Sequence, residues 1–199
     1  MNGNAIYNRR SIRKFQNREV SDELIEKIVD AARMAPSAKN RQPWKYIVYT
    51  GEQKQRLTEE MAKGIEREES DKARFPEFRY GIADAKNTVR VMKEAPVIII
   101  VLNTNGRSPF IPLQEDGRIV EQCDALSIGA SIQNMLLQAQ ELGLGTLWIA
   151  NTCFAYPELE AYLDTADQII SAVAVGYPDE TPAQRPRKKL EEILEYRRE

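Results

Sequence analysis

Residues 21–36, SDELIEKIVDAARMAP, place apolar side chains at Leu24, Ile25, Ile28, Val29, Ala32 and Met34. This is the recurrence of a single helix face. Ser21 stands as the N-cap, Asp22 and Glu23 fall in the first turn, and Pro36 closes the run. KYIVYT, 45–50, then reads as a strand, and Gly51 and Glu52 lead into a charged helix that reaches about Ser70. Residues 70–84 show no period, and a helix follows to Glu94. APVIIIVLN, 95–103, is an almost unbroken apolar run, the pattern of a strand buried on both faces. A long loop with Gly106, Pro109, Pro112 and Gly117 occupies 103–117. The longest helix is placed at 121–143, about 34 Å at ~1.5 Å per residue. Its small residues Ala125, Ser127, Gly129, Ala130 and Ser131 fall on several faces, as in a central helix packed on most sides. TLWIAN and IISAVAVGYP give two further strands, and a tail rich in proline and charge covers 178–199. The whole is one domain, 1–199, with a sheet flanked by helices.

Composition narrows the chemistry. A chain of 199 residues with 42% hydrophobic and 29% charged residues builds an ordinary globular core. No apolar stretch approaches the length of a membrane span and none resembles a secretory leader, so the expected location is cytoplasmic. There is no histidine. Ser-His-Asp and Cys-His catalysis are thereby excluded, as are zinc sites built on imidazole. Cys123 and Cys153 are too few for a thiolate zinc site and are expected to be small buried residues, so no metal is assigned. Chemistry then falls to carboxylates, a lysine or a bound organic cofactor.

Charge is distributed unevenly. Arg9, Arg10, Arg13 and Lys14 sit in RRSIRKF, and Arg185, Arg187, Lys188 and Lys189 in RPRKK, with no acid in either stretch. Of 28 basic residues these are eight; the other 20 face 30 acidic ones, a body of net charge −10. Such runs are ordinarily solvated surface, but arginine forks also match phosphate oxygens. Nucleic acid is disfavoured by the acidic remainder.

APSAKNRQPW, 35–44, joins a helix to a strand through two prolines. Ser37, Asn40 and Gln42 between them both donate and accept hydrogen bonds. They read either as an Asx-type turn or as a polar rim for a flat heteroaromatic ring. GLGTLW is not a dinucleotide fingerprint, because Trp148 stands at the third glycine position and the motif follows a helix. Gly143 is more simply the residue that ends that helix.

RRSIRKF, APSAKNRQPW, GLGTLW and VGYP…RPRKK, in this order, resemble the nitroreductase family of flavoproteins across essentially the whole chain. The resemblance implies an α+β fold, a three-layer α/β/α sandwich with a central, mainly antiparallel sheet. It implies a homodimer with FMN at the subunit interface, NAD(P)H as electron donor, and no membrane partner. Arg9, Arg10, Ser11 and Arg13, with Arg185 and Arg187, would meet the FMN phosphate. Pro36, Ser37 and Asn40 would approach the flavin from the partner subunit, with Gln42 near the ring edge. Leu147, Trp148, Ile149 and Ala150 would pass the ring, with a backbone N–H at Ala150 facing N5. Asn87 and Arg90 are candidates for a polar contact before the buried strand. The implied function is two-electron transfer from NAD(P)H through FMN to a nitroaromatic, quinone or similar small acceptor by a ping-pong mechanism. The alternatives are dehalogenation, flavin destruction or azoline oxidation on the same cofactor, or a non-catalytic flavin-binding protein. Phe110, in the long loop, is the candidate to stack on an acceptor, or else to pin the loop to the core.

Overall fold

The computed structural model describes residues 4–198. Its helices are α1 (Ala5–Asn8), α2 (Asp22–Arg33), α3 (Gly51–Glu69), α4 (Ile82–Glu94), α5 (Glu115–Glu141) and α6 (Tyr156–Leu163). Its strands are β1 (Trp44–Tyr49), β2 (Val97–Asn103), β3 (Gly145–Ile149) and β4 (Gln168–Gly176). The sheet order is β1-β2-β4-β3, and every neighbouring pair is antiparallel.

β2 is buried along its full length, and its pleat divides the molecule into layers. Ile98, Ile100 and Leu102 join one core with Leu57, Met61 and Ile65 of α3 and Met92 of α4. Val97, Ile99 and Val101 join a second with Ile25 and Ile28 of α2 and Ile128, Ile132 and Met135 of α5. Helices therefore cover both faces of an antiparallel sheet, the expected α+β sandwich.

Two expectations about α5 are corrected. The helix starts at Glu115, six residues earlier than expected, so the loop before it spans 104–114. Glu115 and Asp116 in the first turn favour helix there, and Gly117 is tolerated inside it. Nor is α5 packed on most sides within one chain: Ile119 and Leu126 stand 63% and 69% exposed on its outer face. α6, with Pro157 in its first turn, and the short α1 had not been read from the sequence. The cysteines also differ from expectation, since Cys153 is exposed and Cys123 half-buried.

The N-terminal segment lies along the outer edge of β3. Ser11 bridges Thr146 in parallel, and the Ile12 amide donates to the Thr146 carbonyl at 2.9 Å. Farther on, Phe15 bridges Pro178 and the Gln16 amide donates to Tyr177 O at 2.9 Å. Gly145 admits this approach: a Cβ there would lie 2.7 Å from Ile12. Beyond Pro178 the tail is irregular and mostly exposed, with one short 3-10 turn at Leu190–Glu192. Among the described residues no helix is long and apolar enough to cross a membrane.

Candidate cofactor site

The pairing of the N-terminal segment with β3 and with the start of the tail draws the two basic clusters together. Arg9, Arg10, Ser11, Arg13, Arg185 and Arg187 line one cavity of about 240 Å³, closed by Pro182 and Ala183. Among the described residues no carboxylate lines it. None of its five arginines forms an ion pair among the described residues. Their donors find main-chain carbonyls instead. Arg10 Nη1 donates to Tyr7 O at 2.7 Å and Arg9 O at 2.9 Å, and Arg187 Nη1 to Arg185 O at 3.1 Å. Burial, then the neighbouring guanidiniums of Arg187 and Arg10, hold Arg9 below the usual arginine value. Guanidiniums gathered around one cavity with no ion-pair partner among the described residues suit an anion.

Glu180 was not anticipated. Its Oε1 accepts the amides of Arg13 and of Lys14, the latter at 3.1 Å, and Asp179 N donates to Lys14 O at 3.0 Å. These bonds fasten the tail to the N-terminal block.

Arg13 also lines a second cleft, of about 200 Å³, with Leu147, Trp148, Ile149 and Ala150 and with Asp84, Asn87, Thr88 and Asn151. The two cavities thus adjoin across one side chain. Leu147 and Ile149 turn into the core beneath, while Trp148, 40% exposed, donates Nε1 to Ser171 Oγ at 3.0 Å. Of the two polar candidates, Asn87 lines the cleft. Arg90 instead pairs with Glu94 and donates to Asn87 Oδ1 at 3.1 and 3.0 Å, orienting that amide. Asp84 and Thr88 were missed, although their spacing with Asn87 puts all three on one face of α4. Asn151 donates Nδ2 to Thr88 Oγ1 at 3.0 Å, and its Oδ1 is buried without a partner.

Pro36, Ser37, Asn40 and Gln42 line neither cavity within one chain. Their loop rests on α5: the Ala38 amide donates to Ser127 Oγ at 3.2 Å, and Gln42 N to Ser37 Oγ at 3.0 Å. Arg41 Nε and Nη2 reach Asp124 Oδ1 at 3.1 and 2.7 Å. That hydrogen bond raises the Arg41 guanidinium above its usual value. Lys39, Asn40 and Gln42 hold φ of 54°, 53° and 48°, a left-handed conformation that lysine and glutamine seldom adopt. Phe110 lines neither cavity. Its ring sits 5.5 Å from Tyr156 and 5.8 Å from Phe75, with the Arg74 guanidinium 3.9 Å above it, and this is a pinning geometry.

A sequence profile described as the Nitroreductase family matches residues 6–177. A Methanothermobacter thermautotrophicus protein with the provisional name NADH dehydrogenase/NAD(P)H nitroreductase is 35% identical over 91% of this chain and 79% of its own. The nitrobenzene nitroreductase of Ectopseudomonas oleovorans is 26% identical over 87% of this chain and 85% of its own. Among solved structures, a BluB-like flavoprotein from Clostridium difficile superposes with a TM-score of 0.75 at 28% identity, covering 98% of this chain and 97% of that one. A nitroreductase from Desulfovibrio desulfuricans in complex with FMN superposes at 0.71 and 28% identity, covering 97% and 95%. With the profile spanning both β3 and the N-terminal arginine block, the chain belongs to the nitroreductase family.

Proposed function

We propose that this protein is an FMN-dependent oxidoreductase that takes electrons from NAD(P)H and delivers them to a small oxidised acceptor such as a nitroaromatic or a quinone. The observation that carries the reading is the cavity of five unpaired arginines adjoining the β3 cleft through Arg13. FMN fits this pair of cavities chemically. Its phosphate dianion suits the arginines and Ser11, and a flat ring edged with donors and acceptors suits Asn87, the Asn151 Oδ1 that lacks a partner, and the backbone of Leu147 to Ala150. FMN held there would supply the redox chemistry, two-electron transfer by way of a hydride.

The chain's own residues bind and orient. Arg9, Arg10, Arg13, Arg185 and Arg187 would hold the phosphate, and Arg13, which lines both cavities, or the neighbouring Lys14 would supply positive charge toward the ring. The Ala150 amide, at the β3 cleft, would be the donor to the flavin ring. Donor and acceptor occupy one open face in turn, which makes the kinetics ping-pong. Pro36, Ser37, Asn40 and Gln42 complete the site from a second copy in a homodimer. The exposed Ile119 and Leu126 of α5 and the exposed Leu190, Ile193 and Tyr196 of the tail support that assembly. The second reading is other chemistry on a bound flavin, since a flavoprotein not named as a nitroreductase is as similar as the FMN-bound nitroreductase.

The absorption spectrum of the purified protein and the mass of its released cofactor test the assignment. Flavin absorbance and steady NAD(P)H oxidation with a quinone or a nitroarene support it; a colourless protein that takes up no FMN rejects it. In Arg10→Ala and Arg187→Ala, FMN affinity falls by about 1.5–3 kcal/mol, the usual worth of a hydrogen bond to a charged group. Riboflavin, which lacks the phosphate, serves as control, and an equal loss for riboflavin refutes the phosphate role.

A further inference from the structure

The loop around Asn40 holds Lys39 and Gln42 in a conformation those residue types disfavour, and contacts with α5 support that shape beside the loop's own hydrogen bonds. Asp124 supplies one of those contacts. It lies on α5 with its side chain only 1% exposed. One carboxylate oxygen receives both Arg41 donors, at 3.1 and 2.7 Å. The other lies 3.4 Å from Nδ2 of Asn105, in the 104–114 loop. A single buried charge therefore ties two separate loops to one helix.

We propose that Asp124 is a positioning residue of the cofactor site: through Arg41 it fixes loop 37–42 so that Asn40 and Gln42 meet the ring edge of the cofactor, and through Asn105 it registers the 104–114 loop beside them. This rests on the reading of the site given above. Asp124 touches neither cavity, so the phosphate end is untouched by its loss.

The test separates positioning from mere support of the fold. Apo forms of the wild type, Asp124→Ala, Arg41→Ala and the double variant are each titrated with FMN and with riboflavin, and each is melted. Both single variants bind both flavins more weakly by the same factor, about tenfold, because only the ring edge is disturbed. The double variant leaves no buried charge unpaired and so regains melting temperature. Its flavin affinity nevertheless stays low, because the loop is still unpositioned. Arg187→Ala, run in parallel, weakens FMN alone. If Asp124→Ala does not fold, Asp124→Asn, with the same shape and no charge, takes its place with the same expected loss. Wild-type affinity in Arg41→Ala, or affinity that returns with melting temperature in the double variant, overturns the inference while leaving the cofactor assignment standing. A wild type that binds neither flavin overturns both.

Discussion

Phe110 illustrates what a side chain's identity conveys and what it withholds. An aromatic residue in a long loop reads equally as a lid or as an anchor, since apolarity alone does not say which surface it meets. The structure seats it among Phe75, Tyr156 and Arg74. Phe110→Ala is therefore expected to lower stability by about 2–3 kcal/mol, below the range for fully buried phenylalanine, and to affect all acceptors alike. A melting curve beside assays with two acceptors checks this; an acceptor-selective loss at unchanged melting temperature contradicts it. Tyr46 gives a pH signature. Burial pushes its hydroxyl up to about 12, and it bonds Ser131 Oγ. The folded chain then holds this proton above pH ~10 while the unfolded chain releases it, so stability falls as pH rises through that window. Urea midpoints at about pH 9 and 11 are expected to fall less in Tyr46→Phe than in the wild type. The arginines were legible by counting charge, because clustering of like sign is a property of the sequence. The left-handed φ of Lys39 and Gln42 was not, because tertiary contacts impose it against local preference.

α5 was recognised by its length, but its environment was not. Small residues on several faces signalled close packing all round, yet one chain buries only the stripe through Asp124, Ile128, Ile132 and Met135. The outer face carries Ile119 and Leu126, one face at a spacing of seven residues. Leu126→Glu, or Ile119→Glu, is expected to yield monomer by sedimentation and to release flavin while far-ultraviolet circular dichroism stays native. A flavin-loaded monomer of the unaltered protein at low micromolar concentration contradicts the dimeric site. β2 was the most readable element, since only a strand covered on both faces tolerates an unbroken apolar run. α4 was read as a helix with only part of its task, through Asn87 and Arg90. The spacing of Asp84, Asn87 and Thr88 puts them on one face of α4, but that this face meets the cleft depends on how the helix lies against β3. α6 went unread because Pro157 and the short span 156–163 give periodicity little to act on.

The arginine cavity joins the two ends of the chain. Ending the protein after Thr181 removes Arg185 and Arg187 yet leaves every strand and both cores. Such a protein is expected to fold, and its affinities for FMN and riboflavin are expected to converge, as titration of the apo forms would reveal. Retained preference for FMN contradicts the tail's role. The order of these residues along the chain also has a temporal side. Arg9 to Arg13 leave the ribosome first, but the strand edge they dock on arrives with Thr146, and their charged partners only with Arg185 and Arg187. Roughly 170 residues separate the halves, about 10–35 s of translation at ~5–20 residues per second. Throughout that interval a growing polypeptide carries half of the arginine-lined cavity. The order of synthesis therefore sets a condition on the proposed site: however early the N-terminal arginines appear, the cavity they share with Arg185 and Arg187 exists only once those two have been made.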